Sequence, residues 1–222
     1  MRKRTKAISV FTLFLLVGTA GTQKYVSSQI TSRVEREMPK ASGIRVSIPL
    51  TDLPSNITSS AIKAVIVDIN SYFLKENNTN VSLKITAKNI SKSQPTLIGL
   101  LEVMATIPES TIVESAEFND ARIVGDTLQV SVGPGGAGTA ILNPRYSNNQ
   151  VYFELQSVSF MGREIPAASL PSDLQSQIKS RSQRSLAPPK GLEVQSVSLS
   201  SKGLSLRMLG NNVKLSNLGS AL

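Results

Sequence analysis

Residues 176–194 read SQIKSRSQRSLAPPKGLEV, and residues 28–46 read SQITSRVEREMPKASGIRV. At a constant offset of 148, eight of nineteen positions are identical: Ser, Gln, Ile, Ser, Arg and Arg, then Gly and Val. Met38/Leu186 and Ile44/Leu192 are conservative matches. Each copy passes from helical periodicity through proline and glycine into the alternation of a strand. The chain therefore uses one helix-to-strand corner twice. We expect two equivalent helices, each stopped by proline, releasing strands that close the two ends of one curved sheet.

In the first corner Val26, Ile30, Val34 and Met38 recur every four residues, Pro39 and Gly43 follow, and Ile44, Val46 and Ile48 alternate with polar residues. In the second, Leu170, Leu174 and Ile178 are four apart, and Leu186 continues the stripe. Ser169 or Ser172 can cap this helix, Ser172 and Gln175 have capping-box spacing, and Pro188-Pro189 end it. In the strand that follows, Leu192 and Val194 share one parity and Val197 and Leu199 the other. That switch predicts a bulge or a passage between two environments.

Between the corners the chain reads as β. Residues 61–74 form a long, largely apolar, β-branched run, and residues 75–80 a polar turn. Val81, Leu83, Ile85 and Ala87 alternate with Ser82, Lys84, Thr86 and Lys88, which buries one face and wets the other. Residues 97–107 and 111–118 fit strand or helix. Residues 121–132 predict a hairpin turning at Gly125-Asp126, and residues 150–160 a strand entered through Asn148-Asn149. The run GPGGAGT at 133–139 lacks the lysine of a phosphate loop, and a strand-like segment follows it, so it is taken as a turn.

Residues 1–20 have the layout of a signal peptide or N-terminal anchor, with Arg2, Lys3, Arg4 and Lys6 ahead of the apolar run 7–20. Fourteen helical residues span about 21 Å, short of a hydrocarbon core of about 30 Å. The expected organisation is this segment, a single domain over 21–215 and a loose tail over 216–222. The folded part is expected to be extracytoplasmic, in the periplasm or cell envelope, secreted or membrane-anchored.

The net charge is +9, and residues 161–222 hold eight basic residues against three acids. Such a face attracts anionic headgroups or nucleic acid, or is simply solvated. No aromatics interleave with the bases, so nucleic acid is not an expected partner. The chain contains no Cys and no His. Disulfides, cysteine metal sites, Ser-His-Asp triads and Cys-His dyads are therefore excluded, and no metal or cofactor is expected. Ser60/Lys63 and Ser176/Lys179 have Ser-x-x-Lys spacing, but the companion motifs of Ser-Lys acyltransferases are missing. Arg33/Arg36 and Arg181/Arg184 are i,i+3 pairs suited to gripping phosphate or to a wet helix face.

The C-terminal segment 170–215 carries Leu170-Pro171, Gly191-Leu192, Gly203-Leu204 and Gly210, Val213 and Leu215. In these motifs it resembles the closing segment of the LmeA-like phospholipid-binding family of exported envelope proteins. Residues 38–57 resemble that family's opening, with Ser47-Ile48-Pro49 where Gly-Phe-Pro is usual; residues 74–163 fall outside the resemblance. The resemblance implies an α+β, tubular lipid-binding-like fold, in which a strongly twisted antiparallel sheet curls around two amphipathic helices and encloses an apolar groove. It also implies phospholipid binding. One branch has phospholipase activity, but none of its catalytic residues maps onto a motif here. Expected function is thus an envelope-associated phospholipid binder or carrier. A lipid esterase without a His-based triad and a ligand-free structural envelope domain are the alternatives. Candidate groove-lining residues are Val34, Met38, Ile44, Val46, Ile48, Val81, Leu83, Ile85, Leu174 and Ile178. Candidate headgroup contacts are Lys179, Arg181 and Arg184, and the expected partner is phospholipid or a membrane surface.

Overall fold

The computed structural model describes residues 31, 32, 35, 41–49, 60–74, 79–93, 95–115, 120–186 and 188–214. Its described residues fold mostly as strand. Alternation of β-branched and aliphatic residues dominates them, and pairing between strands, not packing on helices, takes up the backbone groups. The chain divides into two compact units, one of residues 1–105, 188–195 and 207–222, the other of 106–187 and 196–206.

One antiparallel sheet has the order β1-β2-β3-β4-β12-β11. Its strands are β1 (Ala41–Ser47), β2 (Ala61–Leu74), β3 (Thr79–Ser91), β4 (Leu97–Ile107), β11 (Glu193–Ser200) and β12 (Gly203–Lys214). The strands that follow the two sequence repeats, β1 and β11, are thus its two edges. In the first unit Val46, Val67 and Ile85 stand side by side across β1, β2 and β3, as do Ile44, Ile69 and Leu83. Ile98, Leu101 and Val103 of β4, together with Leu192, Met208 and Val213, complete this core.

The alternation slips on three neighbouring strands. Buried positions jump from Ile62 to Val65 on β2 (Ala64 between them is also buried), from Ala87 to Ile90 on β3 and from Ile98 to Leu101 on β4. A slip on one strand alone would turn its apolar set outward. Here β2 and β3 slip at paired positions and keep their register across the break. Asn89 adopts φ 54°, and a Cβ on Gly99 would lie 2.9 Å from the Cβ of Asn89, so the third strand passes the kink only with glycine there. The switch expected after Val194 is also present. Leu192 and Val194 belong to the first core, whereas Val197 and Leu199 belong to the second unit's core.

The second sheet has the order β10-β8-β7-β6-β5, with β9 also on β8. These are β5 (Arg122–Val124), β6 (Thr127–Val132), β7 (Gly138–Ser147), β8 (Gln150–Phe160), β9 (Arg163–Pro166) and β10 (Arg184–Ser185). Leu128, Leu142 and Leu155 form one cross-strand row of its buried face, and Val130, Ala140 and Val158 the next. Helix α1 (Glu109–Ser115) adds Ile112 to this core, and the Glu109 carboxylate accepts the Ile123 N–H at 2.8 Å, tying down the edge strand. Helix α2 (Ser172–Ser182) adds Ile178.

The expected α+β sheet curled around two amphipathic helices is not what forms. Among the described residues the architecture is two antiparallel sheets, with α1 and α2 as accessory elements. The physical reason is visible on α2, where Ile178 and Ser182 are its buried side chains among those described and Ser172, Asp173, Ser176, Gln177, Lys179, Ser180 and Arg181 face solvent. Seven solvent-facing polar side chains on an eleven-residue helix leave too narrow an apolar stripe for a sheet to wrap around. Residues 97–107, open to either reading, are strand, and the helix at 109–115 starts one residue after Pro108.

The corners also differ from the expectation. Thr31, Ser32 and Glu35 are helical, and the other residues of the expected first helix, with Pro39, lie outside the described residues. Gly43 sits inside β1 and not at its entrance. Helix α2 ends at Ser182, before Leu186 and Pro188, and has Pro171 at its cap with no side-chain cap bond. Gln175 instead donates to the carbonyls of Ala167 at 2.7 Å and Leu170 at 3.3 Å. Pairing of Arg184 and Ser185 with Val151 and Gln150 pulls the chain out of the helix. The hairpin at Gly125-Asp126 and the Asn148-Asn149 turn form as expected, and within the 133–139 run residues 134–136 make a short 3-10 turn, with Gly138 and Thr139 already in β7.

Candidate functional site

The predicted groove residues divide between the two units. Ile44, Val46, Ile48, Val81, Leu83 and Ile85 belong to the first unit and lie on or beside β1 and β3, whereas Ile178 belongs to the core of the second. Val34 and Met38 lie outside the described residues, and Leu174 is on α2 with its side chain undescribed. Along β1–β3, Ile48, Val81 and Ile85 are buried, while Ile44, Val46 and Leu83 are only half-buried. The aliphatic ladder is therefore sealed on β2, by Val67 and Ile69, and partly open at the positions flanking it. Tyr72, paired with Ala41 on one side and Val81 on the other, is half-buried at the end of this row.

The opposite face of the same strands is charged. Arg45, Asp68 and Lys84 sit directly across from one another on β1, β2 and β3, with Lys88 further along. On β4 and β12 of this sheet, Arg207 Nε meets Glu102 Oε1 at 2.6 Å. The two faces thus differ in chemistry, one aliphatic and the other charged. Sequence alternation assigns Lys84 and Lys88 to a wet face, but the row they form with Arg45 and Asp68 comes from register.

The candidate headgroup cations gather around the C-terminal end of α2, in the second unit. The Lys179 ammonium lies 4.4 Å from the Tyr152 ring centroid, a cation–π contact. The Arg184 guanidinium donates from Nη1 to the carbonyls of Arg181 and Gln183, each at 2.9 Å. It so satisfies carbonyls that a helix end leaves unpaired and places positive charge where the helix dipole favours it. Arg181 is exposed. The contacts of Lys179 and Arg184 are thus structural ones within the unit. In the Ser176/Lys179 pair, both residues are on the exposed side of α2 and the amine is engaged with Tyr152. Among the described residues no group of three or more acidic side chains is placed to hold a metal ion.

Ser182 has a clearer task. Strand β8 pairs with β10 at Gln150 and Val151 and with β9 from Ser157 to Phe160, which leaves a gap between them. In that gap the Ser182 hydroxyl accepts the Phe153 N–H at 2.9 Å and lies 3.4 Å from the Phe153 carbonyl. It also approaches the Lys179 carbonyl at 3.1 Å. Ser182 is 6% exposed, so its loss would leave a buried N–H without that partner. Ser182→Ala is expected to cost about 1–3 kcal/mol, read as a lower urea midpoint at unchanged m value.

A second feature is invisible to periodicity. Strands β8 and β9 join through Met161-Gly162 with Phe160 paired to Arg163, a two-residue hairpin. Met161 has φ 49° and Gly162 φ 77°, the double left-handed turn that ordinarily takes Asn or Gly at its first position. Met161 is 82% exposed, and Phe160 beside it 42%. The signal in the sequence is a methionine directly before glycine between two strand-like runs. Comparison with protein-family models, curated proteins and solved structures finds no match.

Proposed function

We propose that this protein is an extracytoplasmic, envelope-associated phospholipid-binding or carrier protein. The acyl chain lies along the β1–β3 ladder, against Ile44, Val46 and Leu83. The observation that supports this is the row of half-buried aliphatic side chains bordering a sealed aliphatic strand, with a charged face behind it. The resemblance of residues 38–57 and 170–215 to the LmeA-like family, and the basic start followed by an apolar run, agree with it. Affinity needs no specific polar chemistry, because each methylene removed from water contributes about 0.8 kcal/mol, and about ten of them correspond to a Kd near the micromolar range.

Native mass spectrometry of protein purified without detergent tests the reading. Retention of a phospholipid mass, lost in a Leu83→Glu variant that remains folded, is the expected result. A lipid-free protein that takes up no added phospholipid would contradict it and favour a structural envelope domain.

A further inference from the structure

We propose that the β8–β9 hairpin tip, Phe160, Met161, Gly162 and Arg163, is a wedge that enters the headgroup region of an anionic phospholipid bilayer. This inference rests on the phospholipid reading above and adds where the protein meets the membrane. Three exposed large apolar side chains, Phe160, Met161 and Ile165, lie on this one hairpin. Met161 stands at the apex in a left-handed conformation that L side chains rarely adopt, so the most exposed of them is held at the least favourable turn position. Local preference and residue identity disagree there, as happens where function outweighs stability.

The surroundings suit a bilayer. Gly138 pairs with Phe160, and Val132 pairs with Gly138, so the 133–137 loop and the hairpin tip lie at the same end of the second sheet. Residues 127–144, which include that loop, contain no charged side chain, so the end enters an interface without desolvating ions from this segment. The nearest acid, Glu164, is drawn away from the tip. Its carboxylate accepts the hydroxyl of buried Ser157 at 2.6 Å, three residues back along β8 from Phe160. The cation at the tip, Arg163, is exposed. An apolar apex with a cation at its shoulder matches an anionic headgroup layer. A protein partner is a poorer match, because the exposed side chains of one hairpin fall far short of the roughly 800 Å² per partner that a stable interface buries.

The natural chain has no cysteine, so single sites can be labelled cleanly. Met161→Cys and, as a control at the opposite end of β8, Asn149→Cys carry an environment-sensitive fluorophore in the full chain. Vesicles are equimolar phosphatidylglycerol and phosphatidylcholine, or phosphatidylcholine alone. The expected result is a blue shift and quenching by nitroxide-labelled lipid at 161 and none at 149. Arg163→Glu should weaken association with the anionic vesicles about tenfold or more, as reversal of one interfacial charge predicts. Co-sedimentation with the label at 161 still in water overturns the wedge and leaves the phospholipid reading standing. A blue shift that grows with protein concentration without vesicles assigns the tip to a second copy and also overturns it. Failure to bind either vesicle while phospholipid is still captured overturns the wedge alone, and failure of both overturns both.

Discussion

Replacing Gly203 with alanine is expected to destabilise the protein by about 3–5 kcal/mol, the combined effect of backbone strain and an unavoidable overlap. Gly203 opens β12 with φ +117°, and a Cβ built there would lie 1.9 Å from the Ile107 carbonyl oxygen and 2.9 Å from two backbone carbons. Neither neighbour is a flexible side chain that could swing away. The strand start must move or the end of β4 must move, and Leu204 and Leu206, buried at 4% and 2%, follow directly on the same strand. Gly125→Ala is the control. It also has positive φ, +64°, but nothing lies within 4 Å of the position a Cβ would take there. That substitution should cost only about 1–2 kcal/mol, the contribution of the left-handed conformation alone. Urea unfolding of the two variants separates overlap from conformational preference.

Leu142→Ala is the second large effect. Leu142 is fully buried and occupies the centre of the Leu128, Leu142, Leu155 row, so both neighbours in register lose their contact at once. It also marks the place where the β7–β8 register shifts, between Ile141 and Leu142. The expected loss is about 3–5 kcal/mol, at the upper end of buried leucine truncations. Leu142→Met, which keeps the volume, should cost less than about 1.5 kcal/mol. Thermal and urea unfolding of both variants measure it. Equal losses would show that cavity formation is not the cause.

The strands are legible in the sequence because their alternation is local: Val81, Leu83 and Ile85 announce one face without reference to the rest of the chain. The switch after Val194 is legible for the same reason, and it proves to be the passage of one strand from one core to another. Helical periodicity misleads by comparison. The fourfold spacing of Leu170, Leu174 and Ile178, with Leu186 beyond, suggests a long amphipathic element. In the structure Arg184 and Ser185 pair with β8, and the Ser182 hydroxyl takes the Phe153 N–H. Tertiary pairing ends the helix where periodicity alone would continue it. The repeat itself is scaffold: its strands are the two edges of one sheet, but its glycines take different places, Gly43 inside β1 and Gly191 in the turn before β11.

The candidate site is legible in part. Alternation identifies Ile44, Val46, Leu83 and Ile85 as one apolar set, and register does bring them together across β1–β3. Ile178 comes from the helical stripe Leu170, Leu174 and Ile178 and belongs to the other core, since periodicity carries no information about which core a face enters. The cations of α2 are candidates by their charge. The carbonyls Arg184 caps and the ring under Lys179 come from the fold.

Photo-crosslinking with a phospholipid that carries a diazirine in its acyl chain tests the central claim most directly. Adducts confined to peptides covering residues 41–48 and 81–85, and lost in the Leu83→Glu variant, are predicted. Adducts spread evenly over the chain, or restricted to residues 1–20, would contradict binding along the β1–β3 ladder.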